Sequence, residues 1–202
     1  MIAILDYGSG NLRSAQRAFA TTGHEVVVTA DREICRKSAG LVVPGVGAFR
    51  SCMKGLLAVG GDEIVRERLN KQQSTFGICI GMQIFFESGT ETAQEFPGAT
   101  PGLGIWKGSV DKLNAPVLPH MGWNTVSAPQ NSLLFKGLEE ESFYFVHSYA
   151  AKTESHKKIA WAEYGDRFIA AIEDEAFFAT QFHPEKSGAA GLALIKNWTD
   201  SL

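Results

Sequence analysis

Short apolar runs alternate with helix-period patterns through the first half of the chain. Residues 2–5 (Ile-Ala-Ile-Leu) form the first run. After Gly8-Ser9-Gly10-Asn11, Leu12, Ala15 and Phe19 recur at helical spacing, with a stop at Gly23. Residues 25–29 read as a Val-rich strand, and Leu41-Val42-Val43 as another, stopped by Pro44-Gly45. A helical stretch covers 49–70, interrupted at Gly60-Gly61. Residues 74–79 predict a fourth strand, with a helix starting over 82–86. Strands alternating with helices predict a mainly parallel sheet with helices on both faces. Ligands of such sheets bind outside the carboxyl ends of the strands, and three suggestive segments fall there: 7–11, 44–47 and Cys79.

The second half changes character. β-rich runs cover 105–113, 143–150, 159–164, 168–172 and 177–182, and the Gly165-Asp166 turn between two of them predicts an added antiparallel region. Residues 189–198 read as a closing helix. The sequence contains no linker-like stretch, repeat or low-complexity segment, so the reading is a single mixed α/β domain over 1–202.

Composition narrows the function classes. A chain of 202 residues buries roughly 70% of its unfolded surface as one domain, and 45% hydrophobic residues supply the core. The net charge of −3 is the wrong sign for binding nucleic acid by charge. The one basic cluster, His156, Lys157 and Lys158, reads as a solvated loop. No apolar stretch of about 18 residues predicts a membrane span, and the uncharged start Met-Ile-Ala-Ile-Leu-Asp is not a signal peptide. Cys35, Cys52 and Cys79 cannot all pair and lack metal-ligand spacing. A reduced, cytoplasmic setting is therefore expected, with no metal or cofactor.

Three segments carry candidate chemistry. Gly77-Ile78-Cys79-Ile80-Gly81 has the form of a nucleophile elbow: glycine two before and two after the nucleophile, between strand and helix. A side chain at either flanking position would collide in so tight a turn. Free N–H groups at the following helix start would favour thiolate. A buried structural cysteine in a Gly-rich turn is the other reading. His183-Pro184-Glu185 follows a strand-like run. The residue before proline is held extended, so Glu185 can orient one imidazole nitrogen while the other faces a sulfur. Alone, a surface histidine beside a turn would look the same. Pro44-Gly45-Val46-Gly47 gives a peptide freedom to turn. The Val46 N–H, paired with that of Ile80, could then serve as an oxyanion hole; a plain turn reads equally from these residues alone.

Taken together, Pro-Gly-Val-Gly, Gly-Ile-Cys-Ile-Gly-Met-Gln and Phe-His-Pro-Glu-Lys, in this order from Pro44 to Lys186, resemble the class I (triad) glutamine amidotransferases. The resemblance implies a flavodoxin-like sheet. It makes Cys79 the nucleophile that forms a glutamyl thioester, His183 the base and then acid, and Glu185 its orienter. Gly45, Gly47, Gln83 and Glu91 would line the glutamine site, as would the backbone of His147, Ser148 and Tyr149. A closer likeness lies in Asp-Tyr-Gly-Ser-Gly-Asn-Leu, Pro-Gly-Val-Gly-Ala-Phe and Pro119-His120-Met121-Gly122-Trp123-Asn124, and covers nearly the whole chain. It is to the family branch that supplies ammonia to a (β/α)8-barrel cyclase of histidine biosynthesis, and it implies that barrel as partner.

By that resemblance Asn11, His120, Trp123 and Lys186 are expected at the partner interface. As residues, Asn11 serves equally as an N-cap, His120 as a turn residue, Trp123 as core and Lys186 as a solvent-facing lysine. His147 lacks a neighbouring carboxylate and is assigned a structural or backbone role. Cys35 and Cys52 have no base nearby and are expected to be inert. With the hydrolase elements filling the chain, either the acceptor chemistry is on another chain or the ammonia is simply released. The rival readings are a glutaminase for another acceptor pathway, a stand-alone γ-glutamyl hydrolase, and a non-enzymatic interaction module.

Overall fold

The computed structural model describes residues 1–91, 98–154 and 158–202. β1 (Ile2–Leu5) leads into α1 (Leu12–Ala20), which Asn11 caps by accepting the Ser14 N–H. β2 (Val26–Thr29), α2 (Arg32–Lys37), β3 (Gly40–Val43), α3 (Phe49–Ala58), α4 (Gly61–Asn70) and β4 (Thr75–Ile78) follow. The chain then makes one helical turn, α5 (Ile80–Gln83), before β5 (Phe86–Gly89), β6 (Thr100–Pro101), β7 (Trp106–Lys112) and β8 (His120–Thr125). β9 (Ser142–His147), β10 (Tyr149–Ala151), β11 (Lys158–Tyr164), β12 (Asp166–Asp174) and β13 (Phe177–Thr180) complete the strands. A 3-10 turn at Pro184–Lys186 and α6 (Gly188–Thr199) close the chain.

The main sheet runs β11-β12-β13-β4-β3-β1-β2. From β2 to β13 every pair is parallel, in the flavodoxin-like order, and β12 and β11 extend it antiparallel. β1, β3, β4 and β13 are buried at every residue. Unbroken apolar runs encode that environment, because both faces of the sheet are covered. The hairpin expected at Gly165-Asp166 forms, with Tyr164 opposite Asp166 and Gly165 at φ +70°. Smaller sheets, β10-β7-β5-β6 and β8-β9, make up the added β region.

Several expectations need correction. The apolar run over 82–86 does not start a long helix: α5 is one turn and Phe86 begins a strand. The run over 143–150 is two strands in different sheets, broken at Ser148. β8 forms where no separate element was read. Of the basic cluster, His156 and Lys157 lie outside the described residues, while Lys158 begins β11 and donates to the Asn131 carbonyl. No helix among the described residues is long and apolar enough to cross a membrane.

Candidate active site

Four neighbouring parallel strands end at one edge of the main sheet, and each delivers a segment there: Tyr7 to the glycines after β1, Pro44 after β3, Cys79 after β4 and His183 after β13. Adjacency in the sheet gathers these residues although the sequence separates them.

Cys79 occupies φ +55°, ψ −111°, a conformation that non-glycine residues rarely adopt and that marks functional turns. The surroundings enforce it. A Cβ at Gly81 would lie 1.9 Å from the Val43 carbonyl oxygen, and one at Gly77 would lie 2.9 Å from the Gly81 carbonyl oxygen. Gly45 is needed for the same close approach, since a Cβ there would meet the Gly81 nitrogen at 2.5 Å. The predicted elbow is therefore present, although with a single-turn α5 the macrodipole is small and the local N–H groups carry the electrostatics. The Cys79 N–H donates to Thr180 O at 2.8 Å, tying the elbow to β13.

His183 Nδ1 pairs with Glu185 Oε1 at 2.8 Å, with side-chain exposures of 2% and 4%. The other carboxylate oxygen, Oε2, is buried without a hydrogen-bond partner. Burial by itself lowers the His183 pKa. The charge of Cys79 and its hydrogen bond, then Glu185, outweigh it and push it up to about 10. The imidazole thus lies between the sulfur and a buried carboxylate, the arrangement by which a Cys–His couple activates its nucleophile. Cys35 and Cys52 are the contrast. Burial pushes the Cys35 thiol up to about 11 and raises that of Cys52, as expected of inert cysteines.

Around the sulfur lies a cavity of about 380 Å³, within the range of roughly 300–1,000 Å³ typical of small-ligand pockets. Val46, Gly47, Ile80, Gln83, Glu91, His147, Ser148, Tyr149 and Lys186 reach it. Gln83 spends its amide hydrogens on Tyr149 O and Gln181 Oε1, both at 2.9 Å, and its Oε1 is left as a buried acceptor without a partner. Glu91 accepts the Phe49 N–H at the start of α3, at 2.8 Å.

Of the expected oxyanion pair, the Val46 N–H is engaged elsewhere. The Val46 N–H donates to Ser9 Oγ at 3.0 Å, and Ser9 Oγ donates in turn to Val46 O at 2.9 Å. Gly47 sits at φ +90°, with nothing within 4 Å of a Cβ position. The 44–47 segment is thus held with Val46 bonded to the β1 loop, while Gly47 leaves room for its peptide to turn.

The expected interface residues separate. Trp123 is 59% exposed and Met121 62%. Lys186 and Asn11 are on the surface. His120 is a correction: it is 3% exposed and stacks between Phe145 and Tyr164, so its imidazole is not offered to a partner. Alternation along β8 turns Trp123 outward and His120 inward.

A model of the glutamine amidotransferase class-I family matches residues 3–201. The chain belongs to the class I glutamine amidotransferase family. Among similar proteins are the imidazole glycerol phosphate synthase subunit HisH of Nocardia farcinica, 54% identical, and that of Mycobacterium bovis, 53% identical. Each match covers 100% of this chain and 98% of the relative. The subunit of the same name from Corynebacterium diphtheriae is 52% identical over 100% of this chain and 99% of its own length. A crystal structure of a glutamine amidotransferase shares the fold at a TM-score of 0.74 and 18% identity, covering 98% of both chains. The structure of PurLQS from Thermotoga maritima does so at 0.71 and 16%, covering 99% of this chain and 97% of the other.

Two site residues of this amidotransferase escape the sequence reading. Ser9 lies in a segment the reading singled out, but nothing in its spacing reveals a bond to Val46. Gln181 lies inside a strand-like run, where alternation marks it only as one more buried position; its carboxamide Nε2 lies 3.6 Å from Cys79 Sγ.

Proposed function

We propose that this chain is the glutaminase subunit of an imidazole glycerol phosphate synthase, with Cys79, His183 and Glu185 as its catalytic triad. It hydrolyses L-glutamine to L-glutamate and ammonia. The ammonia passes to a cyclase subunit with a (β/α)8 barrel, which makes imidazole glycerol phosphate and AICAR for histidine biosynthesis in the cytoplasm. The observation that carries the reading is the buried Cys79–His183–Glu185 array beside a cavity with room for an amino acid. The full-length likeness to proteins named HisH supports the choice of acceptor.

In this reading the Cys79 thiolate attacks the side-chain carbonyl carbon of glutamine. The oxyanion forms beside the Ile80 N–H and, once its peptide turns, the Val46 N–H. His183 gives its proton to the amide nitrogen, the C–N bond breaks and ammonia leaves. Water then attacks the thioester, its proton goes to His183, and glutamate departs with the thiolate–imidazolium pair restored. The unpartnered Gln83 Oε1 suits a donor such as the substrate ammonium, and the free capacity of Glu91 suits the same charge. Gly47 lets the backbone approach the substrate, opposite the segment His147 to Tyr149. Gly45, packed against Gly81 and not lining the cavity, seats the loop on the elbow instead of contacting substrate as expected.

Turning Val46 is the natural control point, because an oxyanion donor is worth about 2.7–4 kcal/mol in comparable sites. Partner binding near Asn11, Trp123 and Lys186 is well placed to drive it. A Gly47→Pro variant should lose partner-dependent stimulation, and full stimulation in that variant would count against the switch. Exposed Met121 and Trp123 on one face of β8 form the apolar patch a partner would cover. Ammonia-transfer assays with purified acceptor synthases test the assignment. Glutamine should support product formation by the barrel cyclase and not by anthranilate or pyridoxal phosphate synthases; the reverse result would reassign the chain.

A further inference from the structure

A directed chain of hydrogen bonds leads from β8 to the nucleophile. The Gln181 side chain is fully buried, and its Nε2 donates to Cys79 Sγ at 3.6 Å. Its Oε1 accepts from Gln83 Nε2 at 2.9 Å, which fixes the orientation of both amides, since the same Gln83 Nε2 also donates to Tyr149 O at 2.9 Å. Two hydrogens and two acceptors leave Gln83 no alternative flip.

The chain continues behind Tyr149, where its polarity is forced by chemistry. His147 Nδ1 lies 3.0 Å from Tyr149 O. A carbonyl only accepts, so Nδ1 carries the proton and Nε2 of the neutral ring is an acceptor. His120 Nδ1, 3.0 Å from His147 Nε2, must then be the donor, leaving its own Nε2 to accept from Asn124 Nδ2 at 3.4 Å. Asn124 is oriented in turn, with Oδ1 accepting the Thr125 N–H at 2.9 Å and Nδ2 donating to Glu163 O at 3.0 Å. Burial pushes the pKa of His147 down to about 3 and that of His120 down to about 4, which keeps both rings neutral.

We propose that Gln181 is part of the catalytic machinery, donating to the sulfur of Cys79 and stabilising it as thiolate, and that His120 is a positioning residue acting through His147, Tyr149 and Gln83. This rests on the glutaminase reading only for its turnover arm. A carboxamide donor on the thiolate complements His183 from a different strand position, and it does so without supplying a proton the thiolate could take. The clamp at Gln83 holds that donor in place and, through the neutral histidine pair, ties it to the strand whose other face carries Trp123.

The test uses Gln181→Glu, which keeps size and shape while replacing the donor with an acceptor, and Gln181→Met, which removes it without adding charge. Alkylation of Cys79 by iodoacetamide at pH 7 needs no glutamine site and reads the thiolate directly. We expect it to slow about tenfold in Gln181→Met and more in Gln181→Glu. Glutamate release with the cyclase present should fall at least as much, through kcat. His120→Phe keeps the stacked ring and loses the donor; it should raise KM for glutamine several-fold through Gln83 and slow alkylation, though less than Gln181→Met does. His120→Asn, whose amide nitrogen can take the place of Nδ1, should recover most of the loss. Wild-type alkylation rates and kcat in folded Gln181→Met and Gln181→Glu would overturn the role of Gln181. Equal KM in His120→Phe and wild type would overturn that of His120. A wild-type protein that is alkylated rapidly yet releases no glutamate would instead count against the glutaminase reading, and the effect of Gln181 on alkylation would still be decided.

Discussion

Ser9 makes the largest claim for a single hydroxyl in this molecule. It holds Val46 by both its N–H and its carbonyl. Ser9→Ala removes the acceptor. A hydrogen bond of this kind is worth about 1 kcal/mol net, so partner-independent glutamate release should rise about fivefold, measured on the isolated chain. An unchanged or lower basal rate would show that Ser9 does not restrain the segment. Histidines supply a second prediction at this scale. His120 and His147 have folded pKa values of about 4 and about 3, below their ordinary 6.5. As pH falls below 6.5 the unfolded chain takes up protons that the folded chain refuses. Stability is therefore lost on the acid side, about 2 kcal/mol per histidine at pH 5. His183, raised to about 10, acts in the opposite sense. Its contribution is full below the unfolded value and fades as pH rises toward 10. Urea unfolding midpoints should thus peak near neutrality. His120→Phe should flatten the acid limb and leave the alkaline limb in place; an unaltered acid limb would show that His120 is not the group refusing the proton.

At the scale of elements, what was legible followed from how burial writes itself into sequence. β1, β3 and β4 are covered on both faces and read as apolar runs, so their carboxyl-end segments could be listed in advance. The elbow was legible because glycine is the one residue its close approaches allow, as the Val43 contact at Gly81 demonstrates. β8 was not legible, because its pattern is inverted. Its inward positions are His120, Gly122 and Asn124, while Met121 and Trp123 point out. An alternation with the apolar side chains outside does not read as a strand of a monomer, and it led the reading to place His120 with Trp123 on the surface. That inversion leaves two large apolar side chains exposed on an ordered strand, a patch of the kind that marks interaction sites. Trp123 lies against Tyr144, with ring centroids 6.1 Å apart, and Tyr144 O accepts the His183 N–H at 3.0 Å. Trp123 and His183 are therefore joined by a short structural path. Trp123→Ala should weaken cyclase binding by about 2 kcal/mol or more, the cost of losing a large aromatic anchor, without altering Cys79 alkylation. Unchanged affinity by calorimetry would move the interface elsewhere. Gln181 and Ser9 stayed hidden for a different reason: their roles rest on single tertiary hydrogen bonds that leave no period or spacing behind.

At the scale of the whole molecule, the parallel sheet gathers a nucleophile, its base and a movable peptide at one edge, and the added β region walls the cavity from the other side. Cys79, His183 and Glu185 are brought together there, whereas the Val46 N–H is bonded to Ser9. In the function proposed above, the nucleophile and its base are ready and the second oxyanion donor waits for a partner. Glutamate release from glutamine tests this most directly, measured on the chain alone, then with the barrel cyclase and its phosphoribosyl-type nucleotide ligand, and with Cys79→Ala as control. The account predicts slow release alone, strong stimulation by the loaded cyclase, and none in the variant. Equal rates with and without the cyclase would contradict it, leaving a Cys-His-Glu hydrolase that needs no partner to act.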